Sequence, residues 1–533
     1  MQYIISEEDK VLIQQKNLDS RVKINILSND KKILGVLTGV SSFGSFSIDA
    51  DSDIRRTTNI DIKLDDLFYD VEGKIETYLN VGFEIFFGLK GMRNDEYKYY
   101  RMGILYVTSN NTSYDAVTNT LSLDLSDGFA KLDGTINGQV GGSPTITIPV
   151  ENDGIKNTLK SAMISVIKSE TDIKDYIIDD VGEYYGMPQN NEDYENYRSL
   201  NPEWNVIPYD LEFSSGDTVA SILNEIRDLY PNCQLYFDIY GNFCFDMIPS
   251  NENSPIVLNN EYIQSILVAN DTEKVSYDRS QIKNVIEVFG KSYDVDRFAE
   301  TSIYSSGVYS IALNSFNTYS AYTIIAFKSV SANDMDSTYI KINNLSNLPL
   351  YYEYTTTFVD KNIIGQDDVS AIRIMKNESN QFVAYYLGQY QPHAICVLTD
   401  DINDEIYTKT YFAERYNCIE KNVVMIEGKN SPFSVQKLGI LFESKSGEEY
   451  DNILSDSIAI ENAKYLIYQH SVWNDIVTIT TKFIPWLDVN TKVEYKKKQE
   501  DDVHTYIIKS ISHDPSSDTS SITMHRFCSL YQE

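Results

Sequence analysis

The sequence predicts a mainly β protein with a minor α+β component, built from antiparallel sheets or barrels spread over several domains. Three observations carry this. The 40 Tyr and 22 Phe stand beside only 13 Pro, and many stretches pair aromatic with β-branched residues, which suits a pleated, half-buried surface. Between Ser20 and Ser109, strand candidates recur at Arg21 to Leu27, Ile33 to Gly39, Phe43 to Ile48, Asn59 to Leu64 and Gly82 to Leu89, separated by turn signals such as Ser28-Asn29-Asp30 and Gly91 to Asp95. Leu121, Leu123 and Leu125 then alternate with Ser122 and Asp124, the period of two of a strand with one face on a core. At 533 residues, 42% of them hydrophobic, the chain is too long for one core and apolar enough to fill several, so roughly three to five domains are expected.

Taken in order, Gly103 to Thr108 is an apolar strand closed by polar residues from Ser109 to Tyr114. After the alternating leucines, Asp127-Gly128 ends the run, and Gly128 is expected to allow a positive-φ turn into Phe129-Ala130-Lys131-Leu132. Gly138 to Gly142 reads as a connector and Ser143-Pro144 as an extended stretch. Ile155, Leu159, Ala162, Met163, Val166 and Ile167 follow helical spacing, and core packing explains that stripe more simply than a partner-binding face. Asp179 to Asn201 is acidic, with Tyr184, Tyr185, Tyr194 and Tyr197 in no period, and is expected to be an exposed loop. Asp217 is placed to cap a helix carrying Val219, Ile222, Leu223, Ile226 and Leu229, which Pro231 stops. Gln234 to Ile239 and Phe243 to Ile248 then form a hairpin around Gly241-Asn242.

Charge and motifs exclude several functions. With 78 Asp and Glu against 45 Lys and Arg, the formal charge is -33, so broad nucleic-acid binding, which needs clustered cations, is not expected. Self-repulsion for solubility is the plain reading of that charge. Asp49-Ala50-Asp51-Ser52-Asp53 resembles a calcium loop, but the sixth and twelfth places hold Ile54 and Ile60 instead of Gly and an acid. It reads as a solvated turn whose carboxylates Arg55 and Arg56 offset. Cys233, Cys244, Cys396, Cys418 and Cys528 lack CxxC spacing and read as scattered core thiols. His393, His470, His504, His513 and His525 are dispersed; His504 and His513 could meet across a hairpin, yet surface imidazoles are the simpler reading. Gly290-Lys291-Ser292 lacks the Gly a Walker loop needs at Val285, so it is a strand end. Neither an HExxH nor a GxSxG motif occurs. Lys496-Lys497-Lys498 before Glu500-Asp501-Asp502 reads as a hairpin tip whose charges cancel. No catalytic, cofactor-binding or metal residue is nominated, no cofactor is expected, and the chain is read as no enzyme. The acidic start, Glu7-Glu8-Asp9, and the lack of any run of 18 apolar residues point to cytoplasmic synthesis without a signal peptide or membrane span.

Several of these stretches carry a resemblance. Arg101-Met102-Gly103-Ile104-Leu105-Tyr106-Val107, then Leu123-Asp124-Leu125-Ser126-Asp127-Gly128 and Leu132-Asp133-Gly134, resemble the first tube-type domain of bacteriophage tail hub and baseplate hub proteins, the tail-tip family that includes the structural part of tail-associated lysins. Gly216-Asp217-Thr218-Val219 and Tyr240-Gly241-Asn242-Phe243 are similar to the small α/β element that follows it. Tyr277 to Gly290 resembles the first strand of a second tube-type domain. That domain would resume after the helix of Ala459, Ala463, Leu466 and Ile467, in strands Ile476 to Phe483, Lys492 to Lys497, Thr505 to Ile511 and Ser520 to Arg526, with Pro485-Trp486-Leu487-Asp488-Val489-Asn490 as the turn before the closing strand.

The resemblance implies two tube-type antiparallel β-barrel domains, at 1–140 and at 276–299 with 455–533, a connector plus small α/β element at 141–275, and an inserted β-sandwich at 300–454. It implies a trimeric hub at the distal end of the tail tube, adapting a threefold tip to a sixfold tube and lining the DNA channel. Implied partners are two further copies, the distal tail protein or tube ring, the tape-measure protein, and tip fibres or receptor-binding proteins; DNA would only pass through. Such a protein would reside in the virion, and because the chain stops after the second barrel, lytic activity would belong to another subunit. Two readings compete: a carbohydrate-binding adhesin using the Tyr-rich 300–454 segment, whose tyrosines otherwise serve core or rim, and a glycoside hydrolase, for which the sequence nominates no carboxylate pair.

Overall fold

A computed structural model of the chain describes residues 5–37, 40–63, 81–92, 96–108, 112–141, 146–149, 151–152, 155–179, 207, 211–213, 216–229, 233–249, 255–268, 273–278, 282–293, 295–352, 355–377, 379–428, 431, 433–447, 450–451, 453, 456–470 and 474–527. The expected Ser143-Pro144 stretch, Pro231, Cys528 and nearly all of the Asp179 to Asn201 loop lie outside them. The protein is mainly β, as its composition requires, and divides into two compact units, 1–281 with 472–533, and 282–471.

In the first unit, alternating apolar residues make strands with one buried face, and these assemble into a fourteen-stranded sheet. Its order runs Lys274–Asp278, Asn474–Lys482, Thr519–Arg526, His504–Asp514, Phe46–Asp49, Arg56–Lys63, Thr120–Ser126, Lys98–Val107, Gly82–Gly91, Leu18–Leu27 and Ile33–Leu37, with three short strands branching off. The strands expected to build two barrels thus lie in one sheet, joined where His513 pairs with Phe46 and Ser510 with Asp49. They share one core as well: Phe87 meets Phe43, Phe46 and Phe483 edge to face at 5.0–5.7 Å, so rings from both ends of the chain close on one another. Two short helices, each leading into a strand, enter that core. Ser6 caps Glu7–Gln14 in a reciprocal box with Asp9, and Asn259 caps Asn260–Ile266; Tyr262 donates to the Lys10 carbonyl between them, at 3.1 Å. Neither helix is anticipated above, although Ser6 and Asp9 spell the capping signal.

The small α/β element packs helices Leu159–Glu170 and Val219–Asp228 against a three-stranded sheet, Tyr176–Ile178, Phe243–Met247 and Cys233–Phe237. Thr218, not Asp217, caps the second helix, in a box with Ser221. The hairpin turns at Gly241, whose φ of 72° favours glycine; the Asp238 carboxylate accepts from the Tyr240 and Asn242 amides. Gly128 has a different role from the expected one. It opens the 3-10 turn Gly128–Lys131, and a Cβ there would lie 2.6 Å from the Phe237 ring, so close packing demands the glycine.

The second unit holds two sheets. Eight strands run in the order Arg297–Ala299, Thr323–Lys328, Val369–Lys376, Phe382–Gln389, Leu348–Tyr352, Tyr339–Ile342, Val308–Ile311 and Ser302–Ser305. Ala299 at one edge and Tyr309 near the other belong to one apolar cluster, so this sheet curls around its own core. Four further strands run Val423–Glu427, His393–Thr399, Val285–Phe289 and Phe442–Lys445. Val285–Phe289, expected in the second barrel, sits here because its run is buried on both faces: Ile286 and Val288 pack toward helix Asp456–His470, whereas Val285 faces Phe412 and Val435. Lys274–Asp278 takes the barrel-edge position instead. The 300–454 segment therefore contributes to both sheets.

A shared core makes a joint prediction. Phe87→Ala should cost about 3–5 kcal/mol in urea unfolding, and amide exchange should accelerate in Asn474–Lys482 as well as in Gly82–Gly91. Acceleration confined to the mutated strand would contradict a common core.

Candidate functional site

The most heavily constrained polar site of the first unit begins with two consecutive arginines at the start of strand Arg56–Lys63. Arg55 and Arg56 are 3% and 1% exposed, and a buried guanidinium has to be met by acceptors. Arg56 ion-pairs with Asp488 at 2.7 Å and donates to the Phe237 carbonyl at 2.6 Å. Its backbone amide donates to Asp127, whose other oxygen caps the 3-10 turn through Phe129. Burial pushes the Asp127 carboxyl up to about 6, against the opposing pull of the Phe129 amide and the Arg56 charge. Arg55 lies over the Tyr236 ring at 4.1 Å and donates to Gln234, whose carbonyl also accepts from Asn490. The barrel strand, the α/β hairpin and the Pro485 to Asn490 turn are thereby tied at one point. A cavity of about 10 Å³ beside Arg56 and Trp486 holds about one water and no substrate. The arrangement binds protein to protein; it contains no nucleophile beside a base.

The Asp49 to Asp53 turn is solvated as expected, but its cations are others. Asp51 pairs with Lys509 at 2.9 Å and Asp53 with Arg227 at 3.5 Å, because Arg55 and Arg56 point into the core. His504 and His513 lie on one strand, not across a hairpin. His513 is fully buried against Phe87 and Phe483, contacts Ser520 at 2.8 Å, and burial pulls it down to about 3, so it is a neutral core residue and not a surface imidazole. His504 contacts Arg526 at 2.7 Å, and His393 contacts Glu287 while stacking on Phe289. Among the described residues no group of three His, Cys, Asp or Glu is placed to hold a metal ion. Burial raises the thiols of Cys233, Cys244, Cys396 and Cys418, which suits inert core cysteines. Gly290 ends its strand and its amide donates to the Pro392 carbonyl. Lys497 departs from the expected hairpin tip: it is 3% exposed and reaches Asp475 at 2.5 Å and Glu500 at 2.6 Å. Among the described residues, no helix is long and apolar enough to cross a membrane.

Asp9 supplies a second anchor. Burial raises its carboxyl, but Lys98, the Ser6 hydroxyl and the Tyr100 hydroxyl outweigh that and hold it down at about 2.

Residues 430–531 match the model of a family described as a domain of unknown function, DUF5048. No curated protein matches the chain. Among solved structures, the chain is similar to the 43 kDa tail protein of prophage MuSo2 from Shewanella oneidensis, at 10% identity and a TM-score of 0.42, covering 96% of this chain and 100% of that one. It is similar to a tail protein from Neisseria meningitidis MC58, at 8% identity and 0.42, covering 95% and 96%. It is also similar to prophage tail protein gp18 from Listeria monocytogenes EGD-e, at 10% identity and 0.39, covering 94% of each chain. Identities and scores of this size do not by themselves establish a shared fold.

Removing Arg56 leaves Asp488 and the Phe237 carbonyl without their donor, so Arg56→Ala should destabilise the first unit by about 3–5 kcal/mol in denaturant titration. For Asp9 the folded pKa lies below the unfolded one, so its contribution is complete above about pH 4 and is lost as pH falls through about 2. Wild type should therefore lose up to about 2 kcal/mol more than Asp9→Asn between those limits. Parallel acid-unfolding curves for the two proteins would refute that assignment.

Proposed function

We propose that this chain is a structural, non-enzymatic protein of a phage tail tip: the homotrimeric hub at the distal end of the tail tube, joining a threefold tip to a sixfold tube and lining the passage for DNA. One observation supports the reading most directly. Strands from the two ends of the chain continue one another in a single sheet, each set preceded by a capped helix, so one chain presents two neighbouring β units of like build. Three copies would supply six such units, the number a sixfold ring needs. In this reading the first tube-type unit is the 1–140 segment, the second is built from Lys274–Asp278 and Asn474 to Arg526, and 282–471 is an addition to the second. The net charge of -33 suits a channel that DNA crosses without adhering. Distal tail or tube-ring protein, tape-measure protein and tip fibres are the proposed partners, and the virion the proposed location.

Native mass spectrometry tests the assembly. A species at three times the 60.9 kDa chain mass, alone or with purified tail proteins, and a central opening in electron micrographs are expected. A chain that stays monomeric in every mixture would overturn the proposal.

A further inference from the structure

The acidic residues of this protein are unevenly placed. The eight strands of the curled sheet in the second unit contain no aspartate or glutamate, and they carry five basic residues, Arg297, Lys328, Lys341, Arg373 and Lys376. In the fourteen-stranded sheet, by contrast, Asp19, Asp61, Glu84 and Asp475 lie within strands. Strands in general disfavour acids, but a sheet that is net basic inside a chain of charge -33 is a local reversal of sign.

The aromatic residues of the same sheet divide by face. Tyr309 and Phe327 point into the core with Ile325, Ile372 and Ile374. The alternate positions point outward, and register aligns four of them in a row: Ile324 opposite Arg373, Arg373 opposite Tyr385, Tyr385 opposite Tyr351. All four are half-buried. At strand spacing the row spans roughly 14 Å, the length of a few sugar units. Phe358 packs edge-on against Tyr351 at 4.8 Å and lies 5.3 Å from Tyr339, which fixes both rings before any ligand arrives. Lys341 shares the outward face with Tyr339, while Lys328 at the margin lies 3.6 Å from Asp367.

We propose that this outward face binds an acidic polysaccharide, with Tyr351 and Tyr385 stacking on sugar rings and Arg373, flanked by Lys341, meeting the carboxylate or phosphate groups. Flat apolar rings held beside a planar, permanently charged guanidinium suit a ligand that alternates apolar ring faces with anionic groups. A neutral glycan would leave the reversal of sign without use, and a duplex nucleic acid offers no exposed ring faces to stack on. The site is independent of the hub proposal, since it needs no second copy.

The test uses the full chain in calorimetric titration against polygalacturonate, with dextran as the neutral polymer and duplex DNA as an anion without sugar faces to stack on. Binding to polygalacturonate alone is expected, weakening with salt. Arg373→Gln and Tyr385→Ala should each reduce it about tenfold or more, and Tyr114→Ala, exposed in the first unit, should leave it unchanged. Circular dichroism of each variant separates lost binding from lost folding, and the conservative Tyr385→Phe should retain most of the affinity. No binding to polygalacturonate, equal binding to dextran or DNA, or insensitivity to both face variants would overturn the proposal. So would a concentration-dependent oligomer that the same two variants abolish, because it would assign the face to copies of the chain.

Discussion

The architecture of the first unit depends on one short pairing, four residues of Phe46–Asp49 against His504–Asp514. Each half-sheet would otherwise present an open edge with unpaired amides and carbonyls, a liability in any β protein. Joined, the two edges satisfy each other and bring both apolar faces to one core, where Phe87, Phe483 and His513 meet. The join connects remote positions: Lys509 and Asp51, which form an ion pair beside it, are 458 residues apart. Loop-closure entropy grows only slowly with such a separation, but contacts of this range form late, so the order of folding is set here more than the final stability.

Buried polar groups hold the remaining pieces in register. Arg55 and Arg56 draw the α/β hairpin and the Asp488 turn onto the barrel strand, and Lys497 with Asp475 does the same for the carboxy-terminal strands. In the second unit Asp456 has this part: it accepts from Gln389, from Asn422 and from the His393 amide, fastening the end of the eight-stranded sheet to the four-stranded one. Such clusters add little net stability over an apolar substitute. Their geometric demands give one docking arrangement where grease alone would allow several, which suits a protein whose proposed work is to hold other proteins in place.

Charge is distributed to the same end. Carboxylates cover most of the chain, and repulsion of that kind discourages adhesion to other polyanions. The eight-stranded sheet, without a single acid in its strands, is where that protection lapses, and the lapse coincides with a row of fixed aromatic rings. A ligand-binding face on an addition to a scaffold leaves the scaffold free to assemble, since neither surface contributes residues to the other.

Much of this was legible in the residues themselves. The alternation of Leu121, Leu123 and Leu125, the stripe of Val219 to Ile226, the Gly241-Asn242 turn and the failure of the Asp49 to Asp53 loop as a calcium site follow from local geometry: a period, a φ preference, a missing ligand. The sequence also determined that Val285–Phe289 would be a strand, since a short run of β-branched residues has few other stable forms. Which sheet it joined was decided only by tertiary structure, because a strand apolar on both faces needs a partner layer on each, and the four-stranded sheet offers both. The burial of Arg55, Arg56 and His513 was hidden for the same reason. Propensity acts over a few neighbouring residues, whereas a partner hundreds of positions away is chosen by which edges and charges the rest of the chain leaves unpaired.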